Sequence, residues 1–291
     1  MKVAIYGHGY SQDVLEPVET LLGELSRHQA GVAMEEEFAR FLGLDTRIEH
    51  QFNLEGGLDA SFDLFISFGG DGTILRAITY IKDLGVPIVG VNTGRLGFLS
   101  TCQKGQVREM IQEFVHGNYH LVERSLVTAS LNKETSDGDS LDFALNEVTV
   151  SRKDTTSMIT VETYLNEEYL TSYWADGLII ATPTGSTGYS LSCGGPVMMP
   201  TAKSLVITPI APHNLNARPL VISDDTEIRL KVSGREPEHL LSLDSRITSV
   251  DNETEIWVRK ADFSIKMVEY TSESFLKTIR NKLLWGEDRR N

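Results

Sequence analysis

The chain has 291 residues, enough for two domains of ordinary size, and 41% of them are hydrophobic, as in soluble globular proteins. Its net charge of −14 argues against nucleic acid or an anionic membrane as a partner, because both need a basic protein face. No apolar stretch is long enough to cross a bilayer, and residues 1–7 do not read as a secretion signal. With Cys102 and Cys193 expected to be free thiols, these features predict a cytoplasmic protein.

The first 120 residues alternate between apolar runs typical of strands and apolar residues at helical spacing. In chain order they predict a strand at 3–6, helices at 14–25 and 34–42, a strand at 64–68, a helix at 73–83, a strand at 86–91 and a helix at 105–116. Gly85 and Gly117 follow the last two helices, and Gly85 fits a left-handed cap. This alternation indicates a Rossmann-like α/β domain with a parallel sheet over residues 1–120.

Residues 121–271 show the period-two alternation of strands with one buried face, for example at 228–232. Residues 166–168 connect two strand-like runs as a hairpin. We therefore expect a β-sandwich domain here. The last segment, 272–291, carries an apolar helical stripe, which predicts a helix that returns to the first domain or packs on another subunit.

One loop combines glycine with a carboxylate directly after an apolar strand. Residues 69–73 read Gly-Gly-Asp-Gly-Thr and connect the strand at 64–68 to the next helix. Backbone N–H groups and the positive end of a helix dipole can hold phosphate oxygens there, and glycine lets a ligand approach closely. Asp71 adds a proton acceptor, so the loop predicts a kinase that passes a phosphoryl group to a hydroxyl. An ordinary turn without a ligand would have a similar composition.

A second segment is rich in small hydroxyl residues. Residues 176–196 contain an apolar strand, then a run of Ser, Thr and Gly, then a helix start. Several hydroxyl residues crowd positions 182–190, where one would cap the helix. We therefore expect a polar ligand to run along this backbone, with Tyr189 against a base or ribose. A capped helix on a Ser/Thr-rich turn is the structural alternative.

Weaker candidates lie elsewhere. Asn146 beside Glu147 can read an adenine edge and a ribose hydroxyl, or can be exposed on an edge strand. Arg76, one turn into the helix after the glycine loop, can reach a phosphate or be an ordinary solvated charge. The first turn, at 7–12, lacks the third glycine of a dinucleotide fingerprint, which disfavours a hydride-transfer dehydrogenase. The seven histidines form no convincing metal set.

Taken together, these segments resemble the NAD kinase family over nearly the whole chain and in the same order. The matching segments are 69–73, a second loop at 92–99, Asn146 with Glu147, 176–196, 212–213 and 217–220. The first loop is shared with lipid kinases and phosphofructokinases, whereas the motif at 176–196 is much more specific.

The resemblance implies ATP-dependent phosphorylation of the adenosine 2′-hydroxyl of NAD, with Asp71 as the base that takes the hydroxyl proton. It also implies ligand contacts from Gly72, Arg76, Phe98, Asn146, Glu147, Asp176, Thr184, Thr187, Gly188, Tyr189, Ser190, Leu191, Ser192 and Arg246. Asn146 and Glu147 are expected on the adenosine half and Asp176 on the nicotinamide side. Trp174 stands where some relatives carry Arg, so an indole would stack there instead of pairing.

Further implications of the resemblance are Mg²⁺ carried by ATP, sites where the two domains meet, and a homodimer or homotetramer. Two alternatives stay open. One is a lipid or sugar kinase that shares the glycine loop, and the other is a sensor that holds NAD or NADP without turnover.

Overall fold

A computed structural model describes residues 1–8, 14–132, 140–153, 157–271 and 273–285. Its contacts divide the chain into two compact units. Unit 1 comprises Met1–Glu123 with Ile265–Asn291, and unit 2 comprises Arg124–Ser264. The glycine loop therefore lies in unit 1, whereas Asn146, Glu147 and the Ser/Thr-rich segment lie in unit 2.

Unit 1 is built on a parallel sheet. Its strands are β1 (Lys2–Gly7), β2 (Gly31–Glu35), β3 (His50–Phe52), β4 (Leu64–Phe68), β5 (Ile88–Asn92) and β6 (Cys102–Gln103). They pair in the order β3-β2-β1-β4-β5, all in parallel, and β6 also pairs in parallel with β5. Every residue of β4 and β5 is buried, as expected for strands covered on both faces.

Helices alternate with these strands and bury their apolar stripes. They are α1 (Leu15–Arg27), α2 (Glu36–Phe41), α3 (Asp71–Ile81) and α4 (Val107–His116). Leu21 and Leu25 of α1 share one hydrophobic core with Ile5 of β1 and Ile66 of β4. Helix α4 ends at Gly117, whose φ of +74° gives the left-handed cap that closes the helix.

Unit 2 consists of two antiparallel sheets. The strands from here on are β7 (Tyr119–Leu131), β8 (Ser140–Ala144), β9 (Glu147–Arg152), β10 (Ile159–Leu165), β11 (Glu168–Ala175), β12 (Gly177–Ala181), β13 (Ser204–Ile210), β14 (Leu220–Ser223), β15 (Ile228–Ser233), β16 (Glu238–Leu243), β17 (Arg246–Asp251) and β18 (Ile256–Tyr270). One sheet runs β11-β10-β15-β18, and the other runs β14-β13-β12-β9-β16-β17. Val150 and Leu178 of the second sheet share a core with Val161 and Leu230 of the first.

Two short helices complete the fold. Helix α5 (Tyr189–Ser192) follows β12 in unit 2, and α6 (Phe275–Leu283) belongs to unit 1. The Ser274 side chain caps α6 by accepting a hydrogen bond from the Lys277 backbone N–H at 3.2 Å. The predicted α/β domain, β-rich domain and C-terminal helix are thus confirmed. Among the described residues, no helix combines the length and apolar character needed to cross a bilayer.

The structure corrects two local predictions. The helix predicted at 34–42 begins only at Glu36, because Met34 and Glu35 close β2 and the Glu35 carboxylate caps α2 through the Phe38 N–H at 2.8 Å. Helix α3 ends at Ile81 with Lys82 as its cap, so Gly85, although its φ is +70°, lies in the turn beyond. Residues 9–12 of the first turn lie outside the described residues.

Candidate functional site

The glycine loop delivers Asp71 to the first turn of α3, directly after the buried strand β4. Gly70 caps the helix without a side chain, and Gly72 is exposed. The Asp71 side chain is partly buried, and it lies where the positive end of the helix dipole favours a negative charge. The local order of strand, glycine turn and helix is therefore the one that the sequence predicts.

The Asp71 carboxylate accepts hydrogen bonds from three consecutive backbone N–H groups of the second loop. Phe98 donates to Oδ2 at 2.8 Å, and Leu99 and Ser100 donate to Oδ1 at 3.0 Å each. A carboxylate offers about four lone-pair sites. Two bonds to Oδ1 and one to Oδ2 therefore leave a site on Oδ2 for a further donor.

Gly97 makes this contact between the two loops possible. A β-carbon at Gly97 would overlap the Asp71 carboxylate, so only glycine lets the loop backbone come this close. The loop is further held by Asn92, whose Oδ1 accepts a hydrogen bond from the Gly94 N–H at 2.7 Å. Ser100 Oγ donates to the Gly69 carbonyl at 2.9 Å and ties the second loop to the first.

Two side chains that sequence reasoning missed, His8 and Lys282, contact predicted site residues of unit 1. The exposed Arg76 guanidinium lies 2.7 Å from His8 Nε2. Arg76, which is predicted to contact a phosphate, therefore has a partner directly after β1. Lys282 of α6 places its Nζ 4.8 Å from the centre of the Phe98 ring. In the sequence, His8 stands out only as part of the glycine-containing first turn, and Lys282 lies in no motif that would indicate a role.

In unit 2, the turn before β9 is held by a second aspartate that the sequence reasoning had not assigned. Asp244 lies between β16 and β17, and its carboxylate accepts hydrogen bonds from three consecutive backbone N–H groups. The donors are Leu145 at 2.9 Å, Asn146 at 2.8 Å and Glu147 at 3.2 Å. The Asp244 N–H donates in return to the Glu147 carbonyl at 3.0 Å. These hydrogen bonds fix the backbone conformation at Asn146 and Glu147.

Glu147 is the second acid of this cluster, and burial raises the pKa of Glu147 as it raises that of Asp244. Its Oε2 is buried and has no hydrogen-bond partner among the described residues. Burial raises the pKa of Glu147 to about 8, and the negative charge of Asp244 is the second cause. A buried oxygen without a partner is costly in a folded protein, so Glu147 is suited to meet a ligand there.

The Ser/Thr-rich segment packs against the same turn. A β-carbon at Gly185 would overlap the Asn146 carbonyl, and one at Gly188 would lie 3.2 Å from Glu147 Oε2 and 3.5 Å from Asn146 Nδ2. Thr184 Oγ1 is buried without a partner among the described residues. The structure therefore brings Asn146, Glu147, Thr184 and Gly188 together.

Other hydroxyls of this segment serve the fold. Thr182 Oγ1 donates to the Leu145 carbonyl at 2.5 Å, and Ser186 Oγ accepts from the Met198 N–H at 2.9 Å. Ser190 Oγ, fully buried, lies 2.8 Å from Thr208 Oγ1. No described Ser or Thr side chain caps α5, whose N-cap is Gly188, so these bonds hold the segment to its neighbours, and the ligand contact predicted for Ser190 stays a prediction.

The remaining candidates differ in exposure and in partners. Tyr189 and Ser192 are exposed, and Leu191 and Thr187 are partly exposed, with Thr187 Oγ1 donating to the Thr184 carbonyl at 3.1 Å. Asp176 forms an ion pair with Arg152 at 2.9 Å, and Arg246 donates a hydrogen bond to the Phe143 carbonyl. The ring centres of Trp174 and His213 lie 4.4 Å apart. The Trp174 and His213 rings are tilted by 51° to each other, and the predicted stacking of the indole stays a prediction.

Both cysteines are free thiols, and burial raises the pKa of Cys102 to about 12. In the part of the chain that the structure describes, no group of three or more His, Cys, Asp or Glu side chains is placed to hold a metal ion.

Comparison with known proteins identifies the family. The model of the ATP-NAD kinase N-terminal domain matches residues 17–119, and that of the C-terminal domain matches residues 145–270. NAD kinases of Christiangramia forsetii and Flavobacterium johnsoniae are 55% and 54% identical over 294 aligned residues, with all of each chain covered.

Two solved structures share the fold. Yeast NADH kinase complexed with NADH matches with a TM-score of 0.87 and 25% identity, covering 99% of this chain and 89% of that one. The NAD kinase from Archaeoglobus fulgidus in complex with ATP matches with a TM-score of 0.74 and 27% identity, covering 98% of this chain and 99% of that one. The resemblance drawn from the motifs is confirmed, and the chain belongs to the NAD kinase family.

Proposed function

We propose that this protein transfers the γ-phosphoryl group of ATP to the adenosine 2′-hydroxyl of NAD and thereby makes NADP. The observation that carries the proposal is the Asp71 carboxylate, oriented by three N–H donors with one lone-pair site of Oδ2 open. It stands in a chain whose two halves match both domains of the ATP-NAD kinase family. Membership of this family disfavours a lipid or sugar kinase.

The chemistry requires one proton acceptor. As the 2′-oxygen forms its bond to the γ-phosphorus, the bond from that phosphorus to the bridging oxygen of ADP breaks, and the hydroxyl proton passes to Asp71 Oδ2. The three N–H donors hold the carboxylate in place before the reaction, so that no reorganisation is needed at that moment. A base of this kind contributes about a hundredfold to ten-thousandfold in rate.

For the nucleotide acceptor, we assign binding to the cluster around Asn146 and Glu147. Glu147 Oε2 and Thr184 Oγ1 are buried polar atoms without a partner among the described residues, which supports a ligand that supplies the missing hydrogen bonds. Tyr189, with 46% of its surface exposed, presents a ring on which a base can stack.

ATP enters, in this proposal, as its Mg²⁺ complex. Phosphate oxygens are ligands that Mg²⁺ prefers, and the ion neutralises charge that a chain of net charge −14 does not. We further propose a cytoplasmic role in NADP biosynthesis, supported by the two free thiols. A homodimer or homotetramer is supported by exposed apolar side chains on β14, where Leu220 and Val221 are 36% and 49% exposed.

The test is direct. Purified protein is incubated with NAD and MgATP, and NADP is followed with an NADP-specific dehydrogenase, with ATP omitted as the control. We expect NADP to form, and ³¹P NMR to show the new phosphate on the 2′-oxygen. Binding of NAD without any NADP would overturn the kinase proposal in favour of a sensor. Parallel assays with NADH and with polyphosphate define the acceptor and the donor.

A further inference from the structure

The turn at Asn146–Glu147 places two carboxyl groups, those of Glu147 and Asp244, in one electrostatic environment. Their hydrogen-bond partners are unequal. The Asp244 carboxylate accepts hydrogen bonds from three backbone N–H groups at 2.8–3.2 Å, whereas Glu147 Oε2 is buried with no partner among the described residues.

This inequality decides which carboxyl carries the negative charge. Hydrogen bonds from N–H donors stabilise an ionised carboxylate, whereas a buried oxygen without a donor favours the neutral acid. Two neighbouring carboxyls also resist being ionised together. The donors therefore favour the negative charge on Asp244 and the proton on Glu147.

We propose that Asp244 keeps Glu147 protonated, so that Glu147 offers the dinucleotide a hydrogen-bond donor and adds no negative charge beside its diphosphate. The role in dinucleotide binding rests on the function proposed above. Glu147 then donates to an acceptor atom of the ligand, such as a ring nitrogen or a sugar oxygen. Asp244 is a positioning residue, since it acts on the ligand only through Glu147 and the backbone of the turn.

The other charged and titratable groups around the pair agree with this assignment. Burial raises the pKa of Asp244, whereas its three backbone N–H donors and Arg246, two residues further on, act in the opposite direction and stabilise its ionised form. Tyr189 and Cys193, on and after α5, both have a raised pKa, with burial as the largest cause and the nearby Glu147 as a further one. These two groups are neutral acids near neutral pH and bring no positive charge that would ionise Glu147.

The position of the proton can be measured without any ligand. The protein is labelled with ¹³C at the glutamate side-chain carboxyl carbons, and the Glu147 resonance is assigned as the one lost in Glu147→Gln. We expect it to titrate near pH 8, well above the ordinary range of a glutamate carboxyl at about 4. A Glu147 resonance that titrates in the ordinary range overturns the inference.

The consequence for binding is a pH profile. The affinity for NAD without ATP, measured by calorimetry, is expected to fall about tenfold from about pH 6.5 to about pH 9.5, as the donor is lost and a charge appears. Glu147→Gln should remove this fall, because its amide stays neutral and keeps a donor. Asp244→Asn should move the fall to lower pH. A merely structural role would weaken binding equally at every pH, and identical profiles for wild type and Glu147→Gln overturn the inference.

The two proposals fail separately. If NADP forms but the Glu147 resonance titrates as an ordinary carboxyl, only the inference on Glu147 is lost. If the resonance titrates near pH 8 but no NADP forms, the proposed function fails while the protonation stands. Should Asp244→Asn fail to fold, the wild-type titration and the Glu147→Gln profile still decide the matter.

Discussion

The two units use the same local device on an aspartate, and the outcomes differ. In unit 1, Asp71 accepts N–H groups from Phe98, Leu99 and Ser100 at 2.8–3.0 Å. In unit 2, Asp244 accepts three consecutive N–H groups at 2.8–3.2 Å. Asp71 begins a helix after a glycine loop and keeps a lone-pair site for a substrate, whereas Asp244 lies beside a second, donor-poor carboxyl. The hydrogen bonds alone therefore do not define a catalytic acid or base, and the surroundings decide the role.

The largest expected effect is the loss of the proton acceptor at Asp71. Asp71→Asn keeps the size of the side chain but removes the proton acceptor, so kcat should fall about 10²- to 10⁴-fold. The NADP assay measures this loss, and circular dichroism and NAD affinity check that the fold and the binding site remain. Full activity in Asp71→Asn would show that the Asp71 carboxylate is not the catalytic base.

A second prediction tests the close approach that orients Asp71. Gly97→Ala introduces a β-carbon that would overlap the carboxylate, so the second loop or the side chain must move. A displacement of about 1 Å in a catalytic group costs about a hundredfold in kcat. The matched control is Gly94→Ala in the same loop, where a β-carbon would meet nothing within 4 Å. Equal activities of the two variants would contradict the role assigned to Gly97.

The next prediction concerns stability and addresses unit 2. Because the pKa of Glu147 in the folded protein is about 8, above its ordinary value of 4.5, the folded state binds one more proton than the unfolded state between these values. The resulting contribution to the free energy of unfolding is fully present below about pH 4.5 and is lost as the pH rises through 8. Glu147→Gln lacks it.

Thermal unfolding at about pH 5 and about pH 8 measures this contribution. Wild type should lose more of its thermal midpoint on going to the higher pH than Glu147→Gln loses. Glu168→Gln, on the exposed hairpin, should behave like wild type. Equal losses in wild type and Glu147→Gln would show that Glu147 is ionised in the folded protein already at the lower pH.

Local patterns explain how much of this fold the sequence could predict. Strand β4, the glycine loop and α3 follow one another with strong signals, and the two-residue turn between β10 and β11 is marked by Asn166 at a φ of +48°. Strand β3 was missed because its three residues, His50–Phe52, show no apolar run. Met34 was assigned to a helix because its spacing to Phe38 and Phe41 is helical, although it lies in the buried second half of strand β2.

The candidate site shows the same limit. Asp71, Asn146 and Glu147 lie in motifs that can be read along the chain, but their supports come from far away in sequence. Asp244 lies 98 residues along the chain from Asn146, whose N–H donates to it. Phe98, whose N–H donates to Asp71, lies 27 residues from that aspartate. No local pattern specifies such pairings, since they depend on which strands become neighbours in the sheets.

The smallest expected effect concerns the contact between Lys282 and the Phe98 ring. Lys282 of α6 places its ammonium group 4.8 Å from the centre of the Phe98 ring, and the N–H of Phe98 is the donor to Asp71 Oδ2. An exposed cation–π contact contributes about 0.5–1 kcal/mol, so Lys282→Ala should lower kcat about two- to fivefold. Lys282→Arg should retain activity. Lys277→Ala, which removes the ion pair of α6 with Glu273, controls for helix stability. If Lys282→Ala and Lys277→Ala reduce kcat equally, α6 acts on the fold as a whole, and the three N–H donors of Asp71 need no support from Lys282.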